Sequence, residues 1–190
     1  KEPFSSEGGI VLMQGNIGKG IVKVSSVEKK YWKIKAPALV FNNQTEFYNA
    51  YKDGALHKDC VVVVRGQGPK SNGMPELHSL SPNLSVLQNL GYKIALITDG
   101  RMSGASGSVL SIVHIYPEAA ENGLISQIKD SDMIEIDVNT KTINVTQNNK
   151  NQLVKNYISP EEYKNGYGRE LFRNNRAQVT NSENGAISIG

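Results

Sequence analysis

Strand-like patterns dominate the distribution of apolar and polar residues along the chain. Apolar and polar residues alternate at 21–24 and 32–35, as in half-buried strands. The β-branched run 61–64 is typical of a strand covered on both faces, and the apolar run 94–97 also predicts a buried strand. The pattern therefore predicts a β-rich α/β fold, whose further strands we expect at 111–115, 124–128, 133–138 and 142–146, the last three as a β-meander.

Helical patterns lie between and after these strands. Asn42 or Asn43 can cap a helix with aromatic residues at helical spacing that closes at Gly54. Ser81 begins a second helix, which we expect to stop at Gly91. Shorter helical segments are predicted at 117–120 and from Ser159 onward, the latter interrupted at Gly166 and Gly168, with a frayed end from Asn181.

Two glycine-rich loops each follow a buried strand. The loop at 65–75 is rich in Gly and Pro, so we expect no regular structure there, and the loop at 98–107 has three glycines in ten residues. When neighbouring strands of an α/β sheet end in such loops, the loops often share a crevice outside the strand ends. The two loops therefore predict one shared site.

Several side chains in and beside these loops are candidates for chemistry, and each has a structural alternative. Glu76 fits a single carboxylate ligand of magnesium, or a water-exposed glutamate at a helix entry. His78 fits an acid or base, or a hydrogen-bonded structural group. Ser103 could transfer a proton if its pKa is lowered, or cap the next element. Because residues 101–104 do not form a Gly-x-Ser-x-Gly elbow, hydrolysis is disfavoured.

Composition narrows the function classes further. The chain has 190 residues, 38% hydrophobic and 21% charged, which predicts one compact domain and neither a disordered chain nor a membrane protein. The net charge of +3 is scattered, which disfavours a nucleic-acid surface but suits a small anionic ligand. Cys60 is the only cysteine, so the chain alone forms neither an internal disulfide nor a thiolate-held cluster, and we expect a buried structural thiol.

Two features of the N-terminal region bear on function. The stretch Gly15–Gly20 lacks the glycine spacing of a nucleotide fingerprint and leads into a strand, so its likeness to a phosphate loop is superficial. The chain opens at Lys1 with no leader peptide, which predicts a cytoplasmic protein and a piece of something longer.

Three segments carry a resemblance to a known family. Residues 68–78 (Gly-Pro-Lys-Ser-Asn-Gly-Met-Pro-Glu-Leu-His), 98–106 (Thr-Asp-Gly-Arg-Met-Ser-Gly-Ala-Ser) and 114–119 (His-Ile-Tyr-Pro-Glu-Ala) resemble the C-terminal part of the dihydroxy-acid and phosphogluconate dehydratases. The resemblance covers nearly the whole chain. Residues 74–78 and 166–172 are most similar to the members that dehydrate 6-phosphogluconate.

The resemblance implies an architecture and partners. Family members are cytoplasmic homo-oligomers, here expected as a homodimer, that use an iron–sulfur cluster and Mg²⁺. Their N-terminal domain holds the cluster cysteines, and their C-terminal domain is a swivel-type β/β/α barrel with flanking helices, similar to the mobile domain of aconitase-like enzymes. By this resemblance, residues 1–150 form the barrel with active-site loops 65–78 and 98–107, and residues 151–190 form a linker and helical tail. We expect no catalysis without the N-terminal domain, no nucleic acid and no membrane.

The resemblance also assigns roles to individual residues. It implies that Glu76 is a magnesium ligand and that Ser103 is the catalytic base. It further implies substrate contacts from Arg101, Gly104, Ser106 and Arg169. Arg169 and Arg173 are candidates for the substrate phosphate, and the alternative that we favour for both is a surface role. The alternatives are another sugar-acid or dihydroxy-acid dehydratase, and a non-catalytic swivel module that binds an anion.

Overall fold

Eight strands form a closed barrel. The structure, a computed structural model, describes residues 8–103, 107–146, 159 and 164–188. The barrel closes in the order β1-β2-β6-β5-β4-β3-β7-β8. Its strands are β1 (Ile10–Gly15), β2 (Gly18–Lys23), β3 (Lys33–Phe41), β4 (Cys60–Val64), β5 (Ile94–Thr98), β6 (Leu110–Tyr116), β7 (Met133–Asp137) and β8 (Thr142–Thr146).

The strands that lead into the predicted site lie in the parallel half of the barrel. β3, β4, β5 and β6 run parallel to one another, and Val64 at the end of β4 is level with Thr98 at the end of β5. The remaining neighbours are antiparallel except at the β1–β8 seam. The loops after β4 and β5 therefore leave the same rim of the barrel, as the sequence predicts.

The seam between β1 and β8 is closed by backbone and side-chain hydrogen bonds together. Its ladder has a single register pair, Gln14 with Thr142. The Asn16 side chain extends the seam, since its Nδ2 donates to the Val145 carbonyl at 2.8 Å and its Oδ1 accepts from the Val145 N–H at 2.8 Å. The glycine-rich stretch around Asn16 is thus a β-hairpin turn that completes the barrel, in agreement with the prediction that it is no phosphate loop.

The hydrophobic core has two parts, one inside the barrel and one outside it. Alternate residues of β4 and β5 point to opposite sides, so that Val61 and Val63 pack inside whereas Val62 and Val64 pack against the outer helices. All five residues of each of these strands are buried. This double burial explains why both strands are continuous apolar runs and confirms that prediction.

Two helices cover the outer face of the parallel strands as predicted. Helix α1 (Gln44–Lys52) is capped by Asn43, whose side chain accepts from the Glu46 N–H at 2.7 Å. Helix α3 (Ser81–Asn89) has Pro82 in its first turn. Among the described residues, no helix has the length and apolar character needed to cross a membrane.

The prediction that the loop at 65–75 lacks regular structure was wrong. It contains a one-turn helix, α2 (Pro69–Asn72). Pro69 supplies the helical φ at the first position, and Gly73 ends the turn in the left-handed conformation with φ 71°. The same Gly and Pro content that argued against structure therefore starts and stops a short helix.

The strand predicted at 124–128 was also wrong. Leu124–Gln127 form a 3₁₀ turn, and Ile125 and Ile128 point into the barrel. The Arg65 guanidinium donates to the carbonyls of Ser126 at 2.8 Å and Ile128 at 3.0 Å, so these acceptors are not used in a strand ladder. The expected meander is instead the antiparallel pair β7–β8.

The C-terminal part is more ordered than the sequence suggested. Helices α4 (Tyr167–Leu171) and α5 (Arg173–Gln178) follow each other, and Gly168 lies inside α4 rather than interrupting it. The segment expected to fray from Asn181 contains a 3₁₀ turn at Ser182–Asn184, and Glu183 pairs with Lys19 of β2 at 2.8 Å. The predicted helix start at residues 160–163 and most of the predicted linker lie outside the described residues.

Candidate active site

The two predicted loops meet at Glu76 and Arg101. These residues form an isolated parallel β-bridge, and the Leu77 N–H donates to the Arg101 carbonyl at 3.2 Å. Their side chains also pair, with Arg101 Nη1 2.8 Å from Glu76 Oε2. Arg101 Nε donates to the Met74 carbonyl at 2.9 Å, which fixes the guanidinium across both loops. The expected convergence of the loops is therefore confirmed.

Ser103 is held to the same carboxylate. Glu76 Oε1 accepts the Ser103 N–H at 2.8 Å and the His78 N–H at 2.9 Å. The Glu76 carboxylate thus binds backbone N–H groups of both loops and the Arg101 guanidinium, while 38% of the Glu76 side chain stays exposed. The structure brings together Glu76, Arg101 and Ser103 in a cluster that lies open to solvent.

The hydrogen bonds that Glu76 already accepts limit how many of its oxygen lone pairs could bind a metal ion. Oε1 already accepts two N–H groups, whereas Oε2 accepts one N–H from Arg101 and keeps a second lone pair. This fits a single oxygen ligand to Mg²⁺, which often uses only one or two protein carboxylates. Within the described part of the chain, no three His, Cys, Asp or Glu side chains are grouped to hold a metal ion.

Asp99 anchors the rim beneath this cluster. It is fully buried, and its carboxylate accepts the N–H groups of Gly66 at 3.1 Å, Gln67 at 2.8 Å and Ala119 at 2.9 Å. Burial raises the pKa of this carboxyl, against the effect of the three amides. Asp99 therefore holds three chain segments together, a role that its position in a functional-looking loop did not indicate.

Glu118 fixes helix α2 in a similar way. Its oxygens accept the N–H groups of Lys70 at 3.0 Å and Ser71 at 3.1 Å, and only 1% of the residue is exposed. Burial raises the pKa of Glu118 to about 7. A Cβ on Gly68 would lie 2.2 Å from Glu118 Oε2, so glycine is needed there for close approach.

Three other ionisable residues, His78, His114 and Cys60, lie outside the Glu76–Arg101–Ser103 cluster. His78 is exposed, and only its backbone N–H is bonded to Glu76. Burial lowers the pKa of His114, and the nearby Arg101 charge lowers it further. Cys60 is fully buried, and burial raises its pKa to about 12, which confirms the predicted structural thiol.

A cavity of about 780 Å³ adjoins the cluster. It lies between Met74, Arg101 and the C-terminal helices, and both Arg169 and Arg176 line it. Arg169 donates to the Ser71 carbonyl at 3.2 Å and to the Asn72 side chain. Arg173, for which the sequence left a phosphate contact or a surface role open, pairs with Glu170 on the surface. Sequence reasoning missed Arg176, for which the only signal was its place near Arg169.

Comparison with known proteins identifies the lineage of this chain. The family profile described as dihydroxy-acid/6-phosphogluconate dehydratase C-terminal matches residues 1–186. The chain belongs to that family.

Individual relatives match over essentially the whole chain. It is 45% identical over 195 residues to phosphogluconate dehydratase of Helicobacter pylori and 43% identical over 187 residues to that of Zymomonas mobilis. These alignments cover 100% and 98% of the chain but 32% and 31% of the relatives. The dihydroxy-acid dehydratase of Caldanaerobacter subterraneus is 39% identical over 195 residues, covering 98% of the chain and 34% of that relative.

The family match includes every residue of the cluster and both loops. The chain spans about a third of the length of the curated relatives it matches, so a dehydratase of this family contains much that lies outside it. Two of the expected substrate contacts, Gly104 and Ser106, lie outside the described residues.

Proposed function

We propose that this chain is the C-terminal domain of a hydro-lyase that dehydrates 6-phosphogluconate to 2-keto-3-deoxy-6-phosphogluconate, as in the Entner–Doudoroff pathway. The observation that carries the proposal is the joining of Glu76, Arg101 and Ser103 where two family-matching loops meet. The Helicobacter and Zymomonas relatives named phosphogluconate dehydratase support this substrate over others in the family.

Ser103 is the proposed base. Its hydroxyl, once deprotonated, takes the proton from C2 of the substrate while the C3–O bond breaks and the C3 hydroxyl leaves as hydroxide, which becomes water with the proton that Ser103 then releases. The electron pair of the C2–H bond forms the C2=C3 double bond, and the enol tautomerises to the 2-keto product. Mg²⁺, held in part by Glu76 Oε2, would acidify the C2 proton, and an iron–sulfur cluster would act as a Lewis acid at the C3 hydroxyl.

Four further residues of the chain contact the substrate in this proposal. Arg101 lies within reach of the same carboxylate that orients Ser103, so it is placed to contact an anionic substrate group. Arg169 lines the adjoining cavity. Gly104 and Ser106 complete the proposed contacts, because they lie one and three positions after Ser103 in the same loop.

The rest of the enzyme lies outside the chain. Cys60 is the only cysteine here and is buried in β4, so the cluster ligands must come from the N-terminal domain. We propose that the barrel packs against that domain as a swivel-type unit like the mobile domain of aconitase-like enzymes, in a cytoplasmic homodimer. The division into a barrel at 1–150 and a tail at 151–190 belongs to the same proposal.

A dihydroxy-acid substrate is the second candidate. It is favoured by the 39% identity to the Caldanaerobacter dihydroxy-acid dehydratase over nearly the whole chain. Turnover of 6-phosphogluconate and of a branched-chain dihydroxy acid by the full-length protein distinguishes the two candidates. Absence of any dehydration would favour a non-catalytic anion-binding module.

Substitution of Ser103 and of Glu76 tests the assigned roles. In the full-length enzyme, Ser103→Ala should lower kcat about 100-fold or more, because a positioned base contributes about 10²–10⁴-fold. Glu76→Gln should lower kcat and also raise the Mg²⁺ concentration needed for half-maximal rate. Both effects are measured by the rate of 2-keto acid formation across a magnesium titration.

Matched variants control for general damage to the loops. Ser79 is exposed and its hydroxyl bonds to the Gln44 side chain, and Glu135 is a partly exposed glutamate on β7 that pairs with Lys35. Ser79→Ala and Glu135→Gln should keep near-normal kcat. If Ser103→Ala turns over as fast as Ser79→Ala, Ser103 is not the base, and an unchanged magnesium requirement in Glu76→Gln would remove the metal-ligand role.

A further inference from the structure

Three arginines from separate segments line one cavity beside the cluster. Arg101 follows β5, Arg169 lies in α4 and Arg176 lies in α5. The cavity volume of about 780 Å³ is in the range typical of small-molecule sites, roughly 300–1,000 Å³. Its position on the barrel rim places it next to Glu76, which pairs with Arg101.

The lining of the cavity is positively charged. Among the described lining residues there are three arginines and no aspartate or glutamate. The other lining residues are neutral and include Pro69, Gly73 and Met74. A concave surface with several guanidinium groups and no carboxylate favours an anion with several oxygens, since Arg matches phosphate geometry with paired N–H donors.

Contacts with the loop hold Arg169 in the wall of the cavity. The Arg169 guanidinium donates to the Ser71 carbonyl and to the Asn72 side chain, both at the C-terminal end of α2. Helix α4 is thereby attached to the loop that carries Glu76. The reacting groups and the cavity are therefore parts of one rim, connected through α2 and Arg101.

Arg176 differs from its neighbour Arg173. Arg173 is 69% exposed and is paired with Glu170 on the helix surface. Arg176 is only partly exposed, lines the cavity, and its side chain forms no hydrogen bond or ion pair with the described residues. Its donors are thus available to a ligand.

We propose that this cavity binds the phosphoryl group of the substrate and that Arg176 is the residue that distinguishes phosphorylated from unphosphorylated sugar acids. This inference rests on the proposed function and deepens it. A substrate whose carboxylate end lies at Glu76 and Ser103 would extend past Arg101, with its phosphorylated end toward Arg176. The helices α4 and α5 would then provide substrate selectivity, whereas the loops provide the chemistry.

Binding measurements test the inference without requiring turnover. Isothermal titration calorimetry of the full-length protein compares 6-phosphogluconate with gluconate, and the wild-type reference and all variants carry Ser103→Ala in addition, so that turnover is suppressed. The wild type should bind the phosphorylated compound at least about tenfold more tightly, and Arg176→Gln should lose that preference, because a charge-assisted hydrogen bond to a buried anion corresponds to about a tenfold or greater change. Arg176→Lys keeps the charge and should keep part of the preference.

Arg173→Gln is the matched control, since it removes the same charge from the same helix. It should bind both compounds like the wild type. Equal affinity of the wild type for both compounds, or equal behaviour of the two Gln variants, would overturn the assignment. If the phosphorylated compound binds in an Arg176-dependent manner but is not dehydrated, the proposed reaction fails while the phosphoryl site stands. A competition titration, in which inorganic phosphate is added before 6-phosphogluconate, shows whether the protein recognises the phosphoryl group alone.

Discussion

Asp99 illustrates how a single residue organises the candidate site without being part of it. Its carboxylate is fully buried and accepts three backbone N–H groups from the segments at 66–67 and 119. Each of these donors would otherwise be buried without an acceptor. The loop geometry around Glu76 and Ser103 therefore depends on Asp99.

Asp99→Asn should destabilise the chain by about 2–4 kcal/mol, because the amide nitrogen would face N–H donors that now have an acceptor. Chemical denaturation measures the free energy of unfolding. Asp53→Asn, at the exposed end of α1, is the matched control and should change it by less than about 0.5 kcal/mol. Equal stability of the two variants would show that the three amides do not depend on this carboxylate.

The sequence predicted that the two loops meet but did not indicate that Asp99 anchors them. Asp99, Arg101 and Ser103 stand within five positions of one another, and all three have side chains that could do chemistry. Asp99 has a structural role because its carboxylate accepts backbone N–H groups from residues that lie 20 to 33 positions away in the chain. Long-range pairings of this kind leave no local pattern, so only the fold separates the anchor from the exposed cluster.

At the scale of elements, helix α2 depends on Glu118 for its position. One buried carboxylate accepts the first two free N–H groups of that helix, and Gly68 allows the close approach. Burial in this place raises the pKa of Glu118 to about 7 from its ordinary 4.5. The proton is thus held more tightly in the folded chain than in the unfolded one.

Stability should therefore fall as pH rises through about 7. The raised pKa of Glu118 adds to the free energy of unfolding. This contribution is fully present below pH 4.5 and is lost above 7, with an upper limit of about 3 kcal/mol. Urea denaturation at pH 5 and pH 8 should show that wild type loses stability relative to Glu118→Gln. The control variant Glu135→Gln, at a partly exposed position on β7, should run parallel to wild type, and parallel curves for Glu118→Gln as well would contradict the prediction.

Elements defined by local chemistry were predictable, whereas elements defined by distant contacts were not. The cap at Asn43 and the doubly buried strands β4 and β5 follow from neighbouring residues. The turn at Leu124–Gln127 was mistaken for a strand, because the Arg65 side chain that takes its carbonyls lies some 60 positions earlier. The C-terminal turn likewise contacts a distant residue, since its Glu183 pairs with Lys19 of β2.

At the scale of the whole molecule, the Asn16 side chain contributes two hydrogen bonds to the closure of the barrel. The β1–β8 ladder has one register pair, and the Asn16 amide acts as a further strand residue opposite Val145. A Cβ on Gly15 would lie 1.8 Å from the Ile143 carbonyl oxygen, so β1 and β8 approach each other closely at this seam. A closed barrel leaves no strand edge there to pair with another molecule.

Asn16→Ala should weaken the seam specifically. Loss of two hydrogen bonds to Val145 should cost about 1–3 kcal/mol and accelerate hydrogen exchange at the Val145 amide. Asn89→Ala, at the exposed end of α3, serves as the control and should leave that amide protected. Unchanged exchange at Val145 in Asn16→Ala would mean that the ladder closes without the side chain.

The buried thiol of Cys60 has a practical consequence for studying this chain by spectroscopy. With a pKa of about 12 and no exposed surface, the thiol is almost entirely protonated and shielded at neutral pH. A cysteine introduced at Tyr167, which is 96% exposed at the rim of the arginine-lined cavity, would be the one rapidly labelled position in this chain. A fluorophore attached there could follow the filling of the cavity while Cys60 stays in place.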